Sequence, residues 1–265
     1  MPATLKGVQL DHISHSGIRL FQTCPLRFYF RYVEGLPEET ISATLLLGSA
    51  LHASVEFHFR QLLMGCPAPD LDVLLAAFWQ TWRSREVETI FYPKGEDLDT
   101  VGHLAERMLR AFQASAFAHP KGTILAVEEE VRGPLLPGLP ELLARVDLLV
   151  ETKDVLLLSD FKTARTQWSR DQVLDSADQL LLYSELVKDF ADGKPLRLEF
   201  AVLTKGKFPE LTIHPVPAEA KHLDRTKRVA QRVWQAIQGG NFYPNPSPMN
   251  CPTCPFQSPC RAWRG

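Results

Sequence analysis

Residues 141–164 read ELLARVDLLVETKDVLLLSDFKTA. Two apolar runs, ELLARVDLLV (141–150) and DVLLLSDF (154–161), flank a polar turn. Both runs are apolar on both faces, as strands are when a sheet is covered from both sides. Asp160 and Lys162 are two apart, so on a strand their side chains leave the same face. A hairpin centred between Lys153 and Asp154 pairs residues whose numbers sum to 307, which sets Asp147 opposite Asp160. Neighbours across such a rung have Cβ atoms about 5 Å apart. Two carboxylates and one ammonium group would thus meet at the edge of an apolar sheet.

Carboxylates that close repel, and one ordinarily takes up a proton. A divalent cation removes the conflict. Mg²⁺ prefers oxygen ligands and commonly uses one or two carboxylates plus water and phosphate. Such an ion polarises a phosphate and lowers the pKa of a bound water. A lysine beside it can hold that water or stabilise a pentavalent transition state. The competing reading is a structural salt bridge between strands.

Outward from this hairpin, TILAVEEEV (123–131) reads as a preceding strand. An amphipathic helix follows over 171–190, then strands RLEFAVLT (197–204) and ELTIHPV (210–216), then a basic amphipathic helix over 218–237 closed by Gly239-Gly240. That helix carries Lys221, Arg225, Lys227, Arg228 and Arg232, which read as a solvated face, with contact to nucleic acid the lesser alternative. Upstream, Leu47, Leu51, Val55, Phe59 and Leu62 recur at helical spacing over 43–63. Helical character continues over 71–118 with a break at FYPKGED (91–97). Ser14 or Ser16 can cap a short first helix, and LRFYFRYVEGL (26–36) gives a second, stopped by Gly35 and Pro37. The order αβββαβ plus extra helices predicts an α/β (α+β) single domain over 1–265. It comprises a helical section at about 40–118, a strand-bearing core at about 119–216 and a C-terminal helix and cysteine segment at 217–265.

Two helices add polar pairs four residues apart, hence on one face: His52 with Glu56, and Gln179 with Tyr183. Taken singly, a core histidine and a polar helix edge are the ordinary readings.

The 265 residues suffice for one large domain; 45% are hydrophobic and 23% charged, ordinary for a soluble globular protein. A net charge of −2 advertises no nucleic acid globally, so any such contact must use a local basic groove. The start MPATLKGVQLDHIS lacks the apolar core of a signal peptide, and no apolar run of about 18 residues suggests a membrane span. A cytoplasmic location is expected, where thiols stay reduced. Five cysteines there suggest metal ligands rather than disulfides. Cys24 stands near the start; Cys251, Cys254 and Cys260 close a tail, NPSPMNCPTCPFQSPC (245–260), whose five prolines predict no regular structure.

In order, these pieces resemble the RecB-like branch of the PD-(D/E)XK nuclease superfamily. The motifs are Gly-x3-His (Gly48, His52), Asp147, Asp-aromatic-Lys-Thr (Asp160, Phe161, Lys162, Thr163) and Gln-x3-Tyr (Gln179, Tyr183). Val146 stands where many relatives have proline, a loose position. The resemblance implies a PD-(D/E)XK restriction-endonuclease-like core with a helical insertion. It implies Mg²⁺ or Mn²⁺ held by His52, Asp147, Asp160 and the Phe161 backbone carbonyl. It implies a catalytic Lys162, with Gln179 and Tyr183 positioning the site or the DNA.

The cysteines resemble the iron–sulfur subgroup, which includes AddB-type helicase–nuclease subunits and CRISPR-associated adaptation nucleases. Cys24, Cys251, Cys254 and Cys260 would bind one [4Fe–4S] cluster as a staple joining the termini, with Cys66 left over. Structural Zn²⁺ is the chemical competitor, and the spacing does not decide between them.

The implied activity is metal-dependent hydrolysis of DNA, as an exonuclease on single-stranded or end-containing DNA in repair, recombination or CRISPR adaptation. The alternative is a non-catalytic DNA-binding scaffold subunit. The chain has no Gly-x4-Gly-Lys-Ser/Thr loop, so unwinding would need a helicase partner. After the Asp160–Lys162 strand, Arg165, Trp168 and Arg170 are candidate DNA contacts, cations for phosphates and an indole for an unpaired base.

Overall fold

The computed structural model describes residues 8, 10–38, 40–85 and 89–264. The hairpin forms in the expected register. β5 (Glu141–Glu151) and β6 (Leu156–Ala164) run antiparallel, pairing Leu148 with Ser159 through Glu151 with Leu156, each pair summing to 307. β4 (Thr123–Gly133) lies antiparallel along the other edge of β5. β1 (His12–Ser14) pairs in parallel with Glu141–Leu143. Because β4 already fills one edge there, β1 and β6 share the other, and among the described residues β5 between Leu143 and Leu148 has no strand on that side. β7 (Leu196–Thr204) is parallel to β6, and β8 (Leu211–Val216) closes the sheet antiparallel to β7.

Helices cover both faces. On one lie α1 (His15–Thr23), α7 (Asp178–Val187) and α8 (Ala220–Gln238), whose Phe21, Leu181 and Val233 share a core with Leu158, Leu198 and Phe200. On the other lie α3 (Ala43–Leu63), α4 (Leu71–Ser84) and α5 (Leu98–Gln113), whose Leu51, Phe78 and Phe112 pack with Phe161, Ala201 and Leu203. A buried phenylalanine such as Phe161 contributes roughly 1.5–3 kcal/mol through removal from water. α3 begins at Ser42, whose side chain accepts from the Leu45 N–H. Gly48 lies against β6: a Cβ there would stand 3.3 Å from Thr163 Oγ1.

Several expectations need correction. The helical stretch over 71–118 contains a short strand, β3 (Thr89–Phe91), parallel to β2 (Thr40–Ser42); residues 86–88 of it lie outside the described residues. Three-residue strands carry too few alternations to read from a sequence. The helix expected over 171–190 is two: α6 (Arg170–Ser176), with Ser169 and Gln172 forming a capping box, and α7. The aromatic segment gives α2 (Pro25–Phe28) and then winds as a π-helix over Tyr29–Val33. The proline-rich tail does hold a short helix, α9 (Gln257–Ala262). Its Pro259 falls in the first turn, where no N–H is required.

The segment after α8 is hydrogen-bonded to the α1–α2 junction. Leu26 N–H donates to Tyr243 O at 3.0 Å, and Asn245 Nδ2 to Thr23 O at 2.9 Å. No described helix is long and apolar enough to cross a membrane.

Candidate active site

The ladder between β5 and β6 stops at Leu148–Ser159, while β6 continues beside β7 to Ala164. The strands part at the next rung, that of Asp147 and Asp160. There the Phe161 N–H, no longer paired with β5 backbone, donates to Asp147 Oδ2 at 2.8 Å. Phe161 turns its ring into the core beneath α3 and α5, so its neighbours Asp160 and Lys162 face α7. They meet Gln179 there. Lys162 Nζ donates to Gln179 Oε1 at 2.9 Å, and Gln179 Nε2 donates to Asp160 Oδ1 at 2.6 Å. Lys162 Nζ lies 2.7 Å from Asp160 Oδ2 as an ion pair. That oxygen is nonetheless buried without an aligned hydrogen bond, so it keeps a lone pair open.

His52 enters from α3. Its Nε2 is 2.5 Å from the Phe161 carbonyl, and its Nδ1 is 3.7 Å from Asp147 Oδ2 and 3.5 Å from Glu128 Oε1. His52, Glu128 and Asp147 offer ligand atoms within 4.8 Å of one another. Glu56, on the His52 face of α3, instead pairs with Arg60 at 2.7 Å.

Glu128 is the acid that reading the sequence missed. β4 pairs Val127 with Leu148 and Glu129 with Val146, so Glu128 stands on the Asp147 rung. Its φ of +48 is left-handed. Val127 and Leu148 point to the α3 side, whereas Val131, Ala144 and Val146 belong to the α7 side. Strict alternation would put these on one face, so both strands switch faces at this rung and bring both carboxylates inward. The run Glu128-Glu129-Glu130 inside a strand was the only available signal.

The electrostatics are those of a crowded acidic site. Burial, the charge of Asp160 and that of Glu128 push Asp147 up to about 8, against the opposing pull of His52 and Lys162. Burial alone would lower His52, but the Glu128 hydrogen bond and the charges of Asp147 and Asp160 raise it to about 9. Burial likewise opposes the charge on Lys162, yet Asp160 and Asp147 hold its pKa above the ordinary lysine range. It is therefore an ammonium group at neutral pH, suited to stabilising negative charge and not to taking up a proton. Burial and then the charge of Asp160 push the Tyr183 phenol up.

An Asp147 carboxyl raised by burial and its neighbours' charge, Glu128 on the same rung and a buried Asp160 oxygen with an open lone pair form a donor set that fits a hard divalent cation. The candidate DNA contacts and the cysteines lie elsewhere. Arg165 and Arg170 are exposed after β6. Trp168 is half-buried, its ring 5.1 Å from Phe200 and 6.5 Å from His214. Cys24, Cys254 and Cys260 pack around Leu26, Phe30 and Phe256. Cys24 Sγ accepts from Asn245 N–H at 3.5 Å, and Cys251 Sγ from Ser247 N–H at 3.2 Å. Burial and the other three thiols of the set push Cys260 above its ordinary range, so all four share one neighbourhood. No three of these sulfurs lie within 4.8 Å of one another. Cys66 is exposed beyond the end of α3.

A mixed sheet whose parting strands carry acids and a lysine, with a histidine from a flanking helix, defines a nuclease type of site. The chain belongs to the PD-(D/E)XK nuclease superfamily, whose description matches residues 12–261; nucleases of this superfamily use divalent metals. A protein from Eubacterium rectale, described as a candidate exonuclease, is 17% identical and superposes with a TM-score of 0.60 over 96% of this chain and 89% of its own. This supports the fold. SSO0001, 15% identical over 94% of this chain and 96% of its own, gives a TM-score of 0.37, too low to carry an argument. No curated protein matches.

Proposed function

We propose that this protein is a RecB-like, divalent-metal-dependent deoxyribonuclease acting as an exonuclease on single-stranded or end-containing DNA. The observation that carries this is the meeting of Asp147, Asp160, Glu128, His52 and Lys162 where β5 and β6 part. His52, Asp147, Asp160 and the Phe161 carbonyl, with Glu128, would hold Mg²⁺ or Mn²⁺. When bound, the ion supplies a Lewis acid and a water of lowered pKa.

The chain's own groups do the rest. Lys162 places a fixed positive charge where the phosphate gathers negative charge. Gln179 grips Lys162 and Asp160 together and so holds both in position. Asp147, by accepting from the Phe161 N–H, holds the Asp160–Phe161 peptide where the strands part. Arg165 and Arg170, exposed just past β6, would neutralise DNA phosphates, with Trp168 between them. The four cysteines fit a thiolate-bound centre by their donor chemistry, and a [4Fe–4S] cluster would fasten the tail to α1 and α2. A helicase or CRISPR adaptation assembly would supply unwound ends in the cytoplasm.

The test is incubation with end-labelled single-stranded, duplex and closed circular DNA, with Mn²⁺ or EDTA. Cleavage should need the metal and a free or single-stranded end, and Asp160→Ala should abolish it. Full activity in EDTA, or cutting of the closed circle at one defined sequence, would overturn the reading.

A further inference from the structure

Two clefts lie side by side between α1 and α8. The first, of about 680 Å³, is lined by Arg19, Lys221, His222 and Arg225, with Asp175, Asp178 and Glu219 also facing it. The second, of about 430 Å³, is lined by Arg225, Arg228, Arg232, Gln22 and Tyr243 and contains no carboxylate. They share Gln22, Arg225 and Val229, so they form one continuous trough.

Lys221, Arg225, Arg228 and Arg232 are spaced as i, i+4, i+7 and i+11, one stripe of α8. The stripe extends about 16 Å at 1.5 Å per residue. All four are exposed, and none has a carboxylate partner among the described ion pairs. Lys227, off the stripe, is the cation of α8 that pairs with an acid, Glu185 at 2.6 Å. Arg19, on the opposite wall, is likewise exposed and has no carboxylate partner among the described ion pairs. Asp178 is already occupied: Thr226 Oγ1 donates to it at 2.6 Å, and His222 Nε2 lies 2.9 Å away. Tyr243, 56% exposed, places an aromatic face at the far end.

The trough has two defined ends. At one, Asp178 directly precedes Gln179, which holds Lys162 and Asp160. His15, half-buried on α1, lies among Lys162, Arg19 and Asp178 and links trough to site. At the other, Tyr243 binds through its carbonyl to Leu26 N–H, beside Cys24.

We infer that this trough is the path of a single DNA strand between the active site and the cysteine-bearing end, gripped through its phosphates by Arg225, Arg228 and Arg232. Cations in a row without described carboxylate partners, along an open cleft with an exposed aromatic, suit a flexible strand with stackable bases. The path rests on the nuclease reading only for its end at the active site.

The experiment measures binding of fluorescein-labelled oligo(dT) of 5 and 20 nucleotides, in EDTA and without turnover, to the full chain. Arg225→Ala/Arg228→Ala/Arg232→Ala should weaken binding of the longer strand at least tenfold. It should lower the slope of log affinity against log salt by about 2, at about 0.7 per lost contact. Arg225→Lys/Arg228→Lys/Arg232→Lys should restore most of the affinity, which separates lost charge from a damaged fold. Lys94→Ala/Arg107→Ala/Lys121→Ala, removing three exposed cations elsewhere, should leave binding unchanged. Binding of the alanine variant within twofold of wild type, or equal loss in the control variant, overturns the path. A wild type that cleaves nothing but shows the expected binding losses would sink the nuclease reading and leave the trough standing.

Discussion

Glu128 and Asp147 occupy the same rung of β4 and β5, the rung at which both strands exchange faces. Glu128 reaches this arrangement through a left-handed backbone, φ +48, unusual for a residue with a side chain. The consequence is a second carboxylate, beside that of Asp147, within reach of His52.

Glu128 should therefore matter to metal binding. Glu128→Gln should weaken Mn²⁺ binding by roughly tenfold to a hundredfold, the range of effects seen when groups supporting a metal site are lost. Glu56→Gln, on the same face of α3 as His52 but paired with Arg60, should leave binding near wild type. Calorimetric titration with Mn²⁺ compares the two. Equal affinities for Glu128→Gln and wild type would remove Glu128 from the site.

Lys162 and Gln179 should separate chemistry from metal binding. Lys162→Ala should lower kcat by at least about a hundredfold, the scale of losing one group that stabilises developing charge. Mn²⁺ affinity should stay within a few-fold. Gln179→Ala should fall between this variant and wild type, because Gln179 acts through Lys162 and Asp160. Single-turnover rates at saturating metal supply the comparison; a Lys162→Ala rate matching wild type would exclude the lysine from the step.

His15 should make the protein acid-sensitive. Burial, then the charges of Lys162 and Arg19, lower its pKa from 6.5 to about 4. The folded chain thus keeps His15 neutral, while the unfolded chain takes up a proton near 6.5. Stability from this group is fully present above about pH 6.5 and is lost as pH falls towards 4. The loss would be about 3 kcal/mol, at about 1.4 kcal/mol per pKa unit. Urea unfolding at pH 7 and 4.5 should show the difference, and His15→Gln should reduce it. An unchanged pH dependence in His15→Gln would assign the acid sensitivity to other groups.

The cysteines should behave as four plus one. Alanine at Cys24, Cys251, Cys254 or Cys260 should give colourless, poorly soluble protein, and Cys66→Ala, altering an exposed thiol, should keep colour and fold. Linking Cys24 to the tail closes a loop whose crosslinking could contribute on the order of 4–5 kcal/mol. About four irons and four sulfides per chain, by analogy with a four-thiolate cluster, is the expected metal analysis of anaerobic protein. One zinc and no iron would replace the cluster with a zinc site and leave the nuclease reading standing.

Local pattern was enough for the hairpin register, for α3 from Ala43 to Leu63 and for the shared face of Asp160 and Lys162, because period, caps and turn position act over a few residues. The same holds for the Gln179–Tyr183 face of α7. What only the tertiary structure decided lies between distant segments. Glu128 joins the acids because a left-handed residue reverses the alternation of β4, and periodicity assumes that no such reversal occurs. Gly48 is small because α3 crosses β6 at Thr163, a contact between residues 115 apart in the chain. The stripe from Lys221 to Arg232 reads as a solvated face until α1 and Tyr243 stand beside it, because a trough belongs to two walls and a sequence describes one at a time.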